Sequence, residues 1–228
     1  MNQSYFPSDS YAIERNKVLQ NALNLVGLSM IPTALAAWLV SLIPFSYYAE
    51  NPILSLTIFV GNFLLSLGLM FWALKSRNSG FGVLAMLLFA SSMGAMMGPM
   101  INKVLHLQNG TSLIISAALA TAAALFSVTT YIKVTKKDFS FMGSFLSGAL
   151  IGIIVMGMVG MFFHSTMYQL ILSSFSVIIF IGFLLYDVSK IVNGGETNYI
   201  SAAISLYLDV INIFINLLQI FSSGSTDD

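Results

Sequence analysis

One aspartate, Asp209, lies within a long apolar stretch near the C-terminus, and polar residues recur around it at helical spacing. The polar positions are Ser201, Ser205, Asp209, Asn212, Asn216 and Gln219. Because they are three or four residues apart, they share one face of a helix. With that helix starting near residue 199, Asp209 lies about 15 Å along it, where an ionised carboxylate costs at least about 2.5–3.5 kcal/mol in a membrane. The face indicates either a water-filled path or hydrogen bonds that only hold helices together.

A second aspartate, Asp187, precedes the first across a short turn at Asn193-Gly194-Gly195. The turn predicts two antiparallel neighbouring helices, which lets the two carboxyl groups approach each other. Two close carboxylates in a low dielectric do not both ionise cheaply, so the pair is expected to share a proton. The hypothesis is a pH switch in which the protonated pair closes a path and the doubly ionised pair opens it. A path lined by two carboxylates favours cations. Taken alone, Asp187 is equally compatible with a side chain that reaches the membrane surface.

The composition places these residues in a membrane protein. Of 228 residues, 57% are hydrophobic and 8% are charged, and the mean hydropathy is +0.87. A soluble domain carries about 25% charged residues, so too few charges are present to cover a water-soluble surface. The formal net charge of zero gives no support for nucleic-acid binding, and the absence of cysteine excludes disulfides and thiolate-bound metals. One membrane domain is predicted.

The charged residues divide the chain into long uncharged segments. These are residues 18–49, 51–74, 78–102, 104–132, 139–186, 197–208 and 210–226. A spanning helix needs about 20 apolar residues, and the run 139–186 is too long for one helix. We place a hairpin within it at His164-Ser165-Thr166. Seven helices are therefore predicted, near residues 20–43, 53–74, 80–101, 111–132, 141–163, 167–189 and 199–221, forming an all-α seven-helix transmembrane bundle.

The distribution of basic residues predicts the orientation of the bundle. Eight fall on one side of the predicted helices, namely Arg15, Lys17, Lys75, Arg77, Lys133, Lys136, Lys137 and Lys190, and only Lys103 falls on the other. Basic residues favour the cytoplasmic side, so the N-terminus is predicted inside and the C-terminus outside. The corresponding organisation is a polar cytoplasmic tail over residues 1–19, the transmembrane domain over 20–222, and a short acidic tail over 223–228. The polar N-terminal residues and the long apolar run after them do not fit a cleaved signal peptide.

Small residues recur in the third and fifth predicted helices. Gly94 and Gly98 form a small-xxx-small pair, and five glycines occur between Gly143 and Gly160. Because small residues let helix backbones approach each other in lipid, close helix packing is expected at both places.

Four sequence segments together resemble a known family. The first is Gly194-Gly195-Glu196-Thr197-Asn198-Tyr199-Ile200 with Ser205-Leu206-Tyr207-Leu208-Asp209 and Asn212-Ile213-Phe214. The others are Asn16-Lys17-Val18-Leu19-Gln20-Asn21, Gly98-Pro99-Met100-Ile101-Asn102, and Lys136-Lys137-Asp138-Phe139-Ser140-Phe141-Met142-Gly143. In order and position they resemble the Bax-inhibitor (TMBIM/YccA) family, and within it the bacterial YccA-like branch. The resemblance covers essentially the whole chain, and the family has seven helices.

The resemblance implies two activities. Some members are pH-sensitive calcium leak channels whose sensor is an aspartate pair on the sixth and seventh helices, at positions that match Asp187 and Asp209. Ser201, Ser205, Asn212 and Asn216 would then line the path. The YccA-like branch instead modulates an FtsH-type AAA protease of the bacterial inner membrane, and its polar N-terminal tail matters to the protease. The leak channels also carry an arginine within the second helix, whereas that helix is uncharged here.

Enzymatic and metal-binding functions have little support in the sequence. An intramembrane aspartyl protease of the presenilin type needs Gly-x-Gly-Asp at its second aspartate, but the sequence before Asp209 is Leu206-Tyr207-Leu208. No nucleophile elbow, zinc-protease motif or phosphate-binding loop occurs. His106 and His164 lie at helix ends without a paired ligand, so no tightly bound metal and no cofactor are expected. A purely structural bundle, without transport, is the third alternative.

Overall fold

The computed structural model of the chain describes residues 8–160 and 165–224, with side chains from Glu14 onward. The described elements are α1 (Ser8–Ser41), α2 (Phe45–Glu50), α3 (Pro52–Lys75), α4 (Gly80–Leu105), α5 (Gly110–Thr135), a 3₁₀ turn (Ser140–Met142), α6 (Gly143–Gly160), α7 (Thr166–Val192) and α8 (Tyr199–Ser223). No strand occurs within these ranges. All of these helices except α2 are long and apolar enough to cross a membrane, so the prediction of a seven-helix membrane bundle is confirmed.

The start of the first helix and the segment that follows that helix differ from the sequence prediction. The first helix was predicted from residue 20, but α1 begins at Ser8, so the described part of the polar N-terminal segment continues the first span as helix. The short helix α2 was not predicted at all. It fits between Pro44 and the Asn51-Pro52 pair, and six residues are too few to give a periodic signal.

The predicted hairpin between the fifth and sixth spans falls partly outside the described residues. His164 belongs to the undescribed segment, as do residues 161–163 of the predicted fifth helix. On the far side of that segment, α7 begins at Thr166, where the Ser165 hydroxyl accepts a hydrogen bond from the Tyr168 amide. The last residues of the predicted acidic tail, 225–228, also lie outside the description.

The packed centre of the bundle is formed by α1, α4 and α8. α4 and α1 approach most closely at two glycines, because a Cβ atom on Gly94 would overlap the Thr33 carbonyl and one on Gly98 would overlap the Val40 side chain. α8 lies against α1, α5 and α7 and buries fourteen of its residues. The fully buried Tyr207 joins the three central helices, since its hydroxyl lies 2.8 Å from Thr33 Oγ1 and 3.3 Å from the Ala90 carbonyl.

The remaining spans surround this centre. α3 packs on α4 through a polar contact in which Asn62 donates to the Ser92 carbonyl at 2.9 Å and the Ser66 and Ser92 hydroxyls bond each other. α6 packs on α7 and buries a single side chain, Leu146. The outward faces carry large apolar side chains such as Ile53, which is 83% exposed. Such a surface is stable only against hydrocarbon.

Candidate functional site

Asp187 and Asp209 lie on neighbouring helices, and their side chains meet. Asp209 lies on α8 and is 4% exposed, whereas Asp187 lies about one and a half turns from the end of α7 and is partly buried. The two carboxyl groups lie close enough to act on each other electrostatically.

Few hydrogen-bond donors and charged groups act on the two carboxyl groups. The Oδ2 atom of Asp209 is buried and receives no hydrogen bond from any described residue. The charged groups that act on Asp187 are Lys190, on the same helix, and Glu196, in the turn that follows. The Lys190 ammonium group lies 5.9 Å from the centre of the Tyr186 ring on the same helix, which is a cation–π contact. Asp209 is therefore a buried acid whose nearest ionisable partner is another acid.

The turn between α7 and α8 sets the position of both aspartates. The amide of Gly194 donates to Ile191 at 3.1 Å and that of Gly195 to Lys190 at 2.7 Å, which caps the C-terminal end of α7. Gly194 has φ +84, and a Cβ there would lie 2.8 Å from the Arg15 guanidinium. Glycine is thus favoured by the left-handed backbone, whereas the Arg15 side chain could move aside for a larger residue.

The residues after these glycines start α8. Glu196 Oε1 accepts hydrogen bonds from the Thr197 amide at 2.9 Å and the Asn198 amide at 2.8 Å. The Asn198 side chain caps the helix by accepting from the Ile200 and Ser201 amides, and it donates to the carbonyl of Arg77. The predicted residues Gly194, Gly195, Glu196 and Thr197 therefore form a connector that fixes where α8 begins.

The predicted polar face of α8 is divided between two environments. Ser201 is buried and accepts a hydrogen bond from Arg77 Nη1 at 3.4 Å, whereas Ser205 is half-buried. Asn212 and Asn216 are half-buried and donate to carbonyls one turn earlier in their own helix, at 2.7 and 2.8 Å. At the far end of the helix, Gln219 donates to Gln169 of α7 at 3.3 Å. The face is thus turned towards α7 at Asp209 and at Gln219.

Two arginines contact the turn between α7 and α8 and the first turn of α8, and the sequence analysis did not predict these contacts. Arg77 follows α3 and reaches the first turn of α8 through Ser201, and the Arg15 side chain lies against the Gly194 turn. Each lies far along the chain from its partner, so only the tertiary arrangement reveals the contact. α3 itself has no charge before Lys75.

The described residues offer no site suited to a bound metal ion. No group of three or more histidine or acidic side chains converges among them. His106 is exposed, and its Nδ1 atom lies 2.8 Å from the Asn102 carbonyl. The second histidine, His164, is outside the described ranges.

Comparison with known proteins identifies relatives along nearly the whole chain. The family model described as an inhibitor of apoptosis-promoting Bax1 matches residues 15–226. An uncharacterised membrane protein of Vibrio cholerae is 37% identical over 217 residues, which cover 95% of this chain and 93% of that protein. The modulator of FtsH protease YccA of Escherichia coli K12 is 32% identical over 216 residues, or 94% of each chain. A protein named inner membrane protein YccA, from Escherichia coli O6:H1, matches equally well.

Proposed function

Because the chain belongs to the Bax-inhibitor family of membrane proteins, we propose that it provides a pH-sensitive path for cations, most readily calcium, gated by Asp187 and Asp209. The observation that supports this is the buried acid pair on α7 and α8. Asp209 is 4% exposed, its Oδ2 atom has no donor among the described residues, and its ionisable neighbour is a second carboxyl.

In the proposed closed state the two carboxyl groups share one proton and α7 lies against α8. Loss of that proton leaves two negative charges in contact within a low dielectric, which is strongly unfavourable. The charges are relieved either by separation of the helices or by a cation that binds between them. Ser201, Ser205, Asn212 and Asn216 then become the polar lining of the path, since they lie on the same face of α8 as Asp209.

The proposed closed state differs from that of the leak channels because α3 supplies no arginine. Here the shared proton holds the pair, while Arg77 lies against the first turn of α8 at Ser201 and Arg15 against the connector at Gly194. Replacement of either aspartate is then enough to remove the switch, since a single carboxyl has no charged partner to repel.

Calcium flux into proteoliposomes between about pH 6 and about pH 8 tests the proposal. We expect a flux that changes with pH in the wild type and loses this dependence in Asp187→Asn and in Asp209→Asn. The matched control is Asp138→Asn, which removes a carboxylate outside the membrane-spanning helices and leaves the pH dependence in place. Folded protein without flux above empty liposomes at any of these pH values would contradict the proposal.

A second proposal is that the protein binds and modulates an FtsH-type membrane protease. It rests on the 32% identity to a protein named as such a modulator, over 94% of both chains. The first turns of α1 offer a surface for a partner, because Glu14, Asn16 and Lys17 are exposed. In this proposal the basic end of the bundle faces the cytoplasm and the protein lies in a bacterial inner membrane.

The N-terminal segment separates the two proposals. Deletion of residues 2–13 should abolish the effect on degradation of a membrane substrate by the co-reconstituted protease, and calcium flux should persist. A variant with residues 2–13 in scrambled order controls for length and composition. If the deletion leaves degradation unchanged, the segment does not carry the modulation.

The proposed orientation has its own test. A reporter fused after Asp228 should be active only outside the cytoplasm, because an odd number of spans separates the termini. Cytoplasmic activity of that fusion would contradict both the orientation and the assignment of seven crossings.

A further inference from the structure

A second feature of the bundle is a deep groove between α1 and α5 at membrane depth. α1 and α5 do not contact each other in the described part of the chain, although both pack on α8. The space between them has a volume of about 590 Å³, and its floor is formed by α4 and α8. Small side chains on the two walls keep it open, and these are Gly27, Ala34, Ala118 and Ala122. This is the size of a pocket that holds a small molecule or one flexible chain.

The lining of the groove is almost entirely apolar, so it suits a hydrocarbon chain and offers few hydrogen-bonding groups. Apart from the indole of Trp38 at one mouth, the polar side chains of the lining are Thr33 and Thr121. Thr33 Oγ1 donates to the Ser29 carbonyl at 2.7 Å, and Thr121 Oγ1 to the Ala117 carbonyl at 2.8 Å. With both hydroxyl protons committed to their own helices, a polar occupant would lose its hydration without gaining a partner.

The groove runs from the end of the bundle that carries most basic residues towards the opposite end. α1 and α4 run parallel, as the Thr33–Gly94 and Val40–Gly98 contacts require, and a tight turn reverses the chain between α4 and α5. The start of α1 and the end of α5 therefore lie at the same end of the bundle. From Leu23 to Trp38, which both line the groove, α1 rises about 22 Å, against about 30 Å for the hydrocarbon core.

At the basic end, the two walls continue into polar residues. On α5, Lys133 follows Phe126 by two turns and lies on the same side of the helix, about 10 Å further along. On α1, Asn16 and Gln20 lie on the face that carries Leu23 and Gly27. All three polar side chains are exposed. A cation and two amide groups thus stand where an apolar groove reaches the membrane surface.

We propose that this groove binds an anionic phospholipid, with one acyl chain between α1 and α5 and its phosphate held by Lys133, Gln20 and Asn16. Charge complementarity at the rim distinguishes this occupant from a purely apolar helix of another protein. Basic residues between transmembrane helices attract anionic headgroups in this way, and the ammonium and amide groups are suitable donors for phosphate oxygens.

The position of Trp38 in the groove provides a direct measurement. The chain has two tryptophans, so Trp72→Phe leaves Trp38 as the only fluorescent indole. The protein is reconstituted in phosphatidylcholine that contains a small fraction of phosphatidylglycerol brominated near the methyl ends of its chains. A parallel sample contains equally brominated phosphatidylcholine at the same fraction. We expect phosphatidylglycerol to quench Trp38 well beyond its share of the lipid.

Two pairs of matched variants assign that excess to the groove. Lys133→Gln should lower the preference for phosphatidylglycerol about fivefold, whereas Lys103→Gln, an exposed lysine at the other end of the bundle, should not change it. Gly27→Leu should abolish the excess quenching by filling the groove. It is sterically permitted, because a Cβ atom on Gly27 meets nothing within 4 Å. Gly61→Leu, at an equally open glycine on α3, should leave the excess unchanged.

Three results would overturn the proposal. The first is equal quenching by the two lipids in the Trp72→Phe protein. The second is an equal loss of preference in Lys133→Gln and Lys103→Gln, which would indicate a general charge effect. The third is a dimer in light scattering that dissociates in Gly27→Leu, which would make the groove an interface between two copies.

Discussion

Glycines in α4 and in α6 lie in opposite surroundings. In α4, Gly94 and Gly98 meet α1 so closely that a methyl group at either position would overlap it. In α6, a Cβ atom on Gly148, Gly152 or Gly157 would meet nothing within 4 Å. The sequence alone predicts close packing at both places, and for these three positions of α6 that prediction is wrong. A small residue permits a close approach, but only a neighbouring helix makes use of it.

The same contrast extends to the helices themselves. α4 lies between α1 and α3 and contributes twelve buried residues, whereas α6 contacts only α7 and the adjoining 3₁₀ turn within the described ranges and buries one. Association of helices in lipid depends on packing and hydrogen bonds rather than on a hydrophobic drive. The central helices should therefore tolerate changes poorly and the peripheral ones well.

The largest effect is expected from adding one methyl group at matched positions. Gly94→Ala should destabilise the protein by about 3 kcal/mol, because α1 and α4 must separate to admit the Cβ atom. Gly152→Ala should be neutral or stabilising by up to about 1 kcal/mol, since it removes a flexible residue from a helix at no steric cost. Unfolding of the purified protein by a denaturing detergent measures both.

Equal destabilisation by the two alanines would contradict the contrast, because it would show that α6 is packed as tightly as α4. Gly61→Ala, on the exposed face of α3, serves as a reference for a peripheral glycine that also meets nothing within 4 Å. It should behave like Gly152→Ala.

A smaller difference in stability is expected when the N-terminal caps of α8 and α7 are removed. Asn198→Ala should cost about 1–2 kcal/mol, because the side chain accepts from two amides and also donates to the Arg77 carbonyl. Ser165→Ala should cost about 0.5 kcal/mol, because its cap is a single bond of 3.3 Å to the Tyr168 amide. The same unfolding assay ranks the two variants, and the reverse order would show that α8 is not held at its start by this cap.

The seven spans could be predicted because each uncharged run is long enough to cross a bilayer, which is a property of the chain itself. Contact between Asp187 and Asp209 followed from the shortness of the α7–α8 turn, while their role as a switch remains a prediction. By contrast, the contacts of Arg77 with Ser201 and of Arg15 with Gly194 join residues far apart in sequence, and no local pattern marks them. α2 went unpredicted because a single short turn of helix leaves no periodicity.

The smallest of the expected effects concerns the turn before α6, around Asp138, which joins this peripheral helix to the rest of the bundle. The Asp138 carboxylate accepts a hydrogen bond from the Ser140 amide at 2.8 Å, next to the Phe139 amide, which donates to Ser189 of α7 at 2.8 Å. Hydrogen bonds from Ser140, and further from Ser189, lower the pKa of the Asp138 carboxyl below its usual value. A lowered pKa means that the ionised form supports the turn above about pH 4, and that this support is lost as the pH falls through the lowered value.

Asp138→Asn removes the charge and keeps the shape, so it isolates this contribution. At about pH 6 we expect hydrogen exchange at the Ser140 amide to become about threefold faster in the variant, because a hydrogen bond to a charged acceptor is the stronger one. Exchange at the Phe139 amide should be unchanged, since its acceptor is Ser189. After correction for the intrinsic pH dependence of exchange, wild type and variant should converge only once the pH has fallen below the lowered pKa of the Asp138 carboxyl. A difference that persists in acid would show that Asp138 holds the start of α6 by shape rather than by charge.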